Sequence, residues 1–533
     1  GGGGLGGPGE QPTMQSGGLA MPRWSFTLGP GGRGLDGLTA QEKEASDAFG
    51  RESAEKVKAA MTHAWRGYKA HAWGRDELKP VSGRGADPWG GIGCTLVDSL
   101  DTLWLMGMRA EFEEAKGWVR DHLEFDRTPG AVSVFETTIR ELGGLLAAFD
   151  LSGDALFLDK ALDLGHRLMR AFDTPSGIPY GSVEIGGRAA GGGRGHNAAW
   201  TGNAAVLAEL GTLQLDFRYL SEMSGDPKFA KAVNRVLDLL VAKNPPRGLY
   251  PIYVRTSDAG FATRQVTLGA LGDSFYEYLL KVWVQGGLEE ERYRDAYDRA
   301  MDGVVSTLLQ ASTPSKLAYV ADWDGNGLNH KMDHLVCFLG GVLALGAHAA
   351  KGGPAGSDRA RRDLEVGRAL TKTCFEMYER QASGVAPEWV QFQAGRDFRP
   401  GPGGNFNILR PEAIEAIFVL HQLTGDPEYR RMGRRMFDAL ERHCRTAVAY
   451  GGLRDVTHTH QAPEDRMESF FLAETLKYHY LLQAPVEEHG VDLLRSKVLN
   501  TEAHPLSIFG SLRFEELKEI ARKGRGQPRR SAA

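Results

Sequence analysis

Cysteine is scarce in this sequence. The 533 residues include four, Cys94, Cys337, Cys374 and Cys444; that is too few for a disulfide-dense scaffold, and no CxxC spacing marks a zinc or redox site. Taken by themselves, Cys94 and Cys444 read as small buried hydrophobes. Long hydrophobic runs are missing as well: no stretch of about 18 uninterrupted apolar residues exists, so the sequence holds no candidate membrane span. Neither sign of charge dominates, since 63 Lys and Arg face 68 Asp and Glu for a formal net charge of −5. Without a basic footprint there is no long-range attraction to phosphate, and no nucleic-acid partner is expected. Alternating β-branched runs are short and few, which argues against a fold built on sheets. An initiating Met is also lacking, and the chain opens on "GGGGLGGPGEQPTMQSGG". The expectation is that a native N-terminus, with any signal peptide or membrane anchor, lies upstream.

What is present is the composition of a globular protein with a large core, 42% hydrophobic and 25% charged. Residues 1–45 are rich in Gly and Pro and lack periodicity, so a flexible leader or stem is expected there. At the other end residues 511–533, closing on "ARKGRGQPRRSAA", are basic and expected to form a disordered tail. Across 46–510, segment after segment has the period of an amphipathic helix. In "AEKVKAAMTHAWRGYKAHAW", for example, Val57, Ala60, Met61, Ala64, Trp65 and Tyr68 recur at helical spacing. A corner repeats in "FDLSGDALFLDKAL", "LSEMSGDPKFAKAV" and "LHQLTGDPEYRRMG". Its Gly takes the left-handed conformation that stops one helix, its Asp accepts the free N–H groups heading the next, and Pro227 and Pro427 suit a first helical position. Helical hairpins repeated over such a length predict an all-α fold, one closed toroid in which each hairpin buries its inner face on its neighbours. An open solenoid of the same hairpins is the alternative.

Carboxylates interrupt the oily faces of these helices. Glu136 and Arg140 stand four apart in "SVFETTIRELGGLLAAF", Asp273 and Glu277 four apart in "LGDSFYEYLLKVW", and Glu412 and Glu415 three apart in "RPEAIEAIF", while Glu468 and Glu474 sit among aromatics in "DRMESFFLAETLKYHYLL". One such pair alone reads as a solvated helix face. Four helices repeating the feature, with Arg140 and Arg410 to partner the acids, read as the wall of a cavity. Acids gathered and buried together raise one another's pKa values, so one proton donor and one ionised base coexist at neutral pH. Glycosidic bond hydrolysis needs such a pair, and Phe470 with its neighbours offers a stacking surface for the apolar face of a sugar. Spacing alone does not assign roles within the set.

The sequence resembles the class I α-1,2-mannosidases, glycoside hydrolase family 47. The strings carrying the resemblance are "HAWRGYKAHAWGRDELKPVS", "TLVDSLDTLWLMGM", "VFETTIRELGGLLAAFDLSGD", "LAELGTLQLDFRYLSEMSGD", "GDSFYEYLLKVW", "DHLVCFLGG", "LRPEAIEAIFVLHQLTGD", "MESFFLAETLKY" and "NTEAHPL", in the family's order from about residue 50 to about 508. The resemblance implies an (α/α)7 barrel with small β-hairpin elements, cleaving terminal α-1,2-linked mannose from high-mannose N-glycans of glycoproteins with inversion. Glu136 is implied as general acid, acting directly or through a water, and Glu412 as general base with Asp273 the competing candidate. Arg140, Glu209, Glu277, His334, Arg410, Glu415, Phe470 and Glu474 are implied to line the subsite of the departing mannose. His334 alone would read as a satisfied buried histidine. A calcium ion is implied in "LNTEAHPL", on the hydroxyl and carbonyl oxygens of Thr501, with Glu474, Glu415 and Glu502 holding its waters. Oxygen-only ligation suits such a hard ion. Without the resemblance, Thr501 reads as a helix N-cap with Glu502 in the first turn. Also implied is a disulfide from Cys337 to a cysteine on a following helix, a role Cys374 fits; it requires an oxidising compartment.

Three departures from the family's pattern stand out. Asp216 in "LQLDF" replaces the usual Glu, Ala413 replaces a Thr, and Leu271 stands where the single-mannose trimming enzymes of the endoplasmic reticulum carry Arg nearby. Leu271 resembles the Golgi branch and predicts a broader cleft that accepts several mannoses. A monomer in the lumen of the secretory pathway is expected, in the Golgi rather than the endoplasmic reticulum, reaching a membrane only through an anchor absent from this chain. Two alternatives remain: an endoplasmic-reticulum degradation-enhancing mannosidase-like protein that binds glycans of misfolded clients with weak or no activity, and a helical interaction scaffold whose acids scatter over its surface.

Overall fold

The computed structural model describes residues 38–187 and 195–525. Its main helices run α1 (Ala40–Ala72), α2 (Leu100–Leu105), α3 (Arg109–His122), α4 (Gly143–Ser152), α5 (Ala155–Leu168), α6 (Gln214–Ser224), α7 (Lys228–Lys243) and α8 (Asp273–Gln285). They continue with α9 (Glu291–Gly303), α10 (Phe338–Ala349), α11 (Asp358–Glu379), α12 (Glu412–Thr424), α13 (Pro427–His443), α14 (Leu476–Gln483) and α15 (Leu512–Arg525). The even-numbered helices α2 to α14 form an inner ring, each against the next, and the turn Phe471–Thr475 ahead of α14 closes the ring on α2. Helices α3, α5, α7, α9, α11 and α13 each pack outside the inner helix that precedes them, and α1 packs outside α14. Seven inner and seven outer helices make a closed (α/α)7 barrel, so the chain is a toroid and not an open solenoid.

Burial follows this layering. Inner helices such as α4 and α8 are almost wholly buried, α8 even along its polar face of Glu277, Lys281 and Gln285, whereas α13 buries one stripe made by Tyr429, Met432, Met436, Phe437 and Leu440. The repeated corners form: Gly153, Gly225 and Gly425 hold φ of 72°, 71° and 68°, and Asp154, Asp226 and Asp426 accept from the backbone N–H two residues on; Pro427 takes the first helical position as predicted, whereas Pro227 stands just ahead of it, capping α7.

Two expected boundaries move. Helix α1 begins at Ala40, inside the stretch read as leader, because Thr39 and Glu42 form a reciprocal capping box; residues 1–37 lie outside the described residues. Residues 512–525, read as part of a disordered tail, are the helix α15. Beneath its basic composition, Phe514, Leu517 and Ala521 make a buried stripe against α6 and α5, with Phe514 edge-on to Tyr219. Residues 526–533 lie outside the described residues. Among those described, no helix is long and apolar enough to cross a membrane.

Cys337 and Cys374 are bonded, 37 positions apart, joining the entry to α10 with α11. These helices approach so closely that a Cβ on Gly340 would lie 2.2 Å from Thr371 Oγ1. Loop-closure entropy gives such a bridge about 3 to 4 kcal/mol. Reduction, or Cys337→Ser, is therefore expected to lower the thermal midpoint measurably; a midpoint unmoved by reductant would show that the bridge contributes nothing.

Small antiparallel strand pairs decorate the barrel. One matters for function: Lys497–Leu499 pairs with Pro505–Ser507 and lies against α4 and α8 inside the ring. It fits because α4 starts with Gly143, where a Cβ would lie 2.5 Å from Asn500 Nδ2. Asn500 Nδ2 donates to Ile139 O at 3.0 Å, and Asp150 accepts from Ser507 N and pairs with Lys497.

Candidate active site

The tip of that hairpin, Thr501 and Glu502, forms the floor of a cavity of about 280 Å³ inside the ring. Its walls are the starts of inner helices. Asp273 and Glu412 are the first residues of α8 and α12, and Glu136 sits in the turn Val134–Thr137 that leads towards α4. An acid at a helix head is favoured by the unsatisfied N–H groups and the dipole there. Arg140 and Glu474 sit in π turns, Thr138–Leu142 and Phe471–Thr475, a distortion frequent at functional sites.

The cavity gathers Glu136, Arg140, Glu209, Asp273, Glu277, Arg410, Glu412, Glu415, Phe470, Glu474 and Thr501. His334 stands behind this wall, its Nδ1 2.7 Å from Glu412 Oε2 and its Nε2 2.9 Å from the Tyr378 hydroxyl. Glu412, as a carboxylate, can only accept, so Nδ1 carries a hydrogen and donates it. Phe135, Leu271, Leu335, Phe338 and Phe470 give the cavity its apolar surface. The acids thus converge in one place, which removes the scaffold reading. Thr501 is not a helix N-cap: it occupies the turn of a β-hairpin.

The carboxyls are held in different states. Burial pushes Glu412 up, but the His334 hydrogen bond, the Arg410 guanidinium 3.8 Å away, the His334 charge and a backbone N–H outweigh it, leaving Glu412 below its ordinary value. Asp273 is raised to about 7, by burial first and then by the charges of Glu412 and Glu277, against the Ser274 N–H. Glu209 is likewise raised to about 7 by burial and by Glu136. Glu468, outside the cavity lining, reaches about 7, burial outweighing Arg466. One cavity therefore presents an ionised carboxylate beside carboxyls that hold a proton near neutrality, the division that acid and base catalysis require.

The floor is more acidic still. Glu415 is raised to about 8, by burial and by Glu277 and Glu412 against Lys281. Glu474 and Glu502 lie well above the ordinary value, by burial and neighbouring acids. Thr501 Oγ1 donates to Glu277 Oε2 at 3.0 Å. Among the described residues no group of three or more His, Cys, Asp and Glu is arranged to hold a metal by itself. A hard cation nevertheless fits the donor chemistry here: the floor offers oxygen ligands, and its acids, held protonated by burial and by one another, would ionise beside such a charge. Such an ion would rest on the two Thr501 oxygens and on waters held by Glu415, Glu474 and Glu502.

Several participants escaped the sequence reading. Lys281 forms the ion pair with Glu277 on α8 and lies 3.8 Å from Glu415; its signal was present, four residues after Glu277 in "GDSFYEYLLKVW". Glu388 accepts from Arg410 Nε at 2.5 Å, and Tyr378 backs His334; neither carries a local signal. Asp216, the shortened acid, lies outside the cavity lining, fully buried, with Oδ1 3.0 Å from Asn500 Nδ2. Burial raises it to about 7.

Residues 60–508 match the family described as glycosyl hydrolase family 47. A mannosyl-oligosaccharide 1,2-alpha-mannosidase of Arabidopsis thaliana is 44% identical over 481 residues, 90% of this chain and 82% of the relative. The endoplasmic reticulum mannosyl-oligosaccharide 1,2-alpha-mannosidase of Homo sapiens is 44% identical over 458 residues, 84% of this chain and 63% of that protein. Among solved structures, the alpha-1,2-mannosidase from Trichoderma reesei is similar with a TM-score of 0.78 at 29% identity, over 86% of this chain and 99% of that one. A likeness that runs through nearly the whole barrel, in sequence and in shape, is inheritance and not coincidence: the chain belongs to glycosyl hydrolase family 47.

Proposed function

We propose that the chain is an exo-α-1,2-mannosidase that trims terminal mannose from high-mannose N-glycans with inversion, releasing several residues towards a five-mannose product. The observation carrying this reading is the convergence of Glu136, Asp273 and Glu412, from three separate elements, on one cavity above Thr501. Glu136, fixed by Arg140 Nε at 2.8 Å, protonates the departing sugar's oxygen, directly or through a water. Glu412, kept ionised and oriented by His334, takes a proton from the water that attacks the anomeric carbon from the opposite face. Arg410, Glu209 and Phe470 orient the sugar ring. Thr501, with waters on Glu415, Glu474 and Glu502, would hold a calcium ion, which would supply Lewis-acid chemistry at the sugar.

Leu271 supports the broad specificity. It lines the cavity with φ at 81°, and a short apolar side chain there leaves room and imposes no branch-specific hydrogen bond. The names of the relatives give mannosyl-oligosaccharides as what they act on, and a lumenal, Golgi-like setting agrees with Leu271 and with the disulfide.

Incubation with a labelled nine-mannose glycan in calcium tests the reading. Successive loss of several mannoses is expected, with the released sugar appearing first as the β-anomer. No release at all would remove the enzymatic reading, and a halt after one mannose would remove the broad specificity.

A further inference from the structure

Beneath Glu136, Arg140 leads into a chain of buried polar groups, from Ser469 to Lys477, that the reaction so far leaves unused. Arg140 donates from Nε to Glu136 Oε2 at 2.8 Å, and from one terminal nitrogen to Ser469 Oγ at 3.0 Å and Glu502 Oε1 at 2.5 Å. Ser469 Oγ, accepting from Arg140, donates its own proton to Asp98 Oδ2 at 2.5 Å. Arg140 is itself 3.8 Å from that oxygen. The other oxygen of Asp98 lies 3.0 Å from His504 Nε2, and His504 Nδ1 lies 2.9 Å from Asp101 Oδ2. Lys477 Nζ donates to the same Asp101 oxygen at 2.7 Å and to Ala503 O at 2.9 Å.

Both ring nitrogens of His504 face carboxylate oxygens, so both carry hydrogen and the ring is an imidazolium. Asp98, Asp101, His504 and Lys477 have no solvent exposure. A buried lattice of charges is weak support for stability, because apolar packing of equal volume usually serves as well, and its best-attested use is to fix a geometry. The geometry fixed here is that of a long, rotamer-rich arginine. Ser469, itself held by Asp98, and Glu502 hold one edge of the guanidinium, which leaves Nε aimed at Glu136.

We propose that Asp98, held by His504 and Ser469, is a positioning residue that fixes Arg140 and, through it, aims Glu136 at the oxygen of the departing sugar. The inference rests on Glu136 being the acid. It requires that disturbing Asp98 harm turnover only while Glu136 has a proton to give.

A double-mutant cycle on an α-1,2-linked mannobiose tests this, with kcat, KM and thermal midpoint measured for each protein. Asp98→Asn and Ser469→Ala are each expected to lower kcat about tenfold or more with KM within about twofold. In a Glu136→Gln background, the same substitutions should add less than about twofold. Equal factors in both backgrounds, or an unchanged kcat for both variants, would overturn the proposal. Should Asp98→Asn fail to fold, Ser469→Ala keeps every charge and carries the cycle alone. Glu136→Gln with undiminished kcat would instead remove the acid assignment itself, a result distinct from failure of the positioning role.

Discussion

Glu412→Gln is expected to lower kcat for mannose release about 10³-fold with KM within about twofold. The substitution keeps shape and keeps an oxygen that accepts from His334 Nδ1, so the wall of the cavity and the melting behaviour should stay as they are. What it removes is a carboxylate held below its ordinary value, by His334 and Arg410 against burial. Asp273 is the rival base, but its carboxyl is raised to about 7, so near neutrality about half of it is protonated and unable to take a proton from water. The experiment is a steady-state comparison of Glu412→Gln and Asp273→Asn. If Glu412→Gln turned over at the parent rate and Asp273→Asn did not, water activation would pass to Asp273 and the helix head of α12 would be left a sugar-binding role.

Which parts of this were legible in the sequence follows from the range of the interactions involved. The Gly-Asp corners at Gly153, Gly225 and Gly425 depend on neighbours within a few residues, and they announced the hairpins correctly. The anomaly at α12 was legible for the same reason, since Glu412 and Glu415 break an otherwise apolar stripe whose period is local. Thr501 was different. A Thr followed by Glu satisfies the local signature of a helix start, yet the hairpin is set by Asn500 reaching Ile139 and by Thr501 reaching Glu277, contacts across more than 200 positions. Glu388 and Tyr378 were invisible because each acts on its partner, Arg410 or His334, from a different segment. The tail failed through composition: the basic residues of α15 outweighed a stripe of Phe514, Leu517 and Ala521 whose burial depends on α6 and α5. Assignment of acid, base and cation site came from the family likeness, because spacing places carboxylates on one face without saying which of them is charged.

Removing a bound cation is expected to abolish mannose release and, separately, to make stability fall with rising pH. Glu415 titrates at about 8 in the fold against an ordinary 4.5, with Glu474 and Glu502 raised beside it. A carboxyl raised by folding costs nothing below about 4.5, where folded and unfolded chains both hold the proton. As pH climbs from there to about 8, the folded floor must keep protons that the unfolded chain has released, and stability is lost across that window. A cation on Thr501 reverses the sign, since it favours the ionised acids that hold its waters. Binding at a hundred times Kd adds about 2.7 kcal/mol to the folded state. Thermal midpoints with excess calcium and with excess chelator should therefore nearly coincide at pH 5 and separate progressively towards pH 8, the chelated protein melting lower. Thr501→Ala should behave as the chelated protein does at every pH, with or without calcium. Midpoints that ran parallel across the range would mean that the floor acids do not sense the ion, and a Thr501→Ala protein still stabilised by calcium would move the site away from the hairpin.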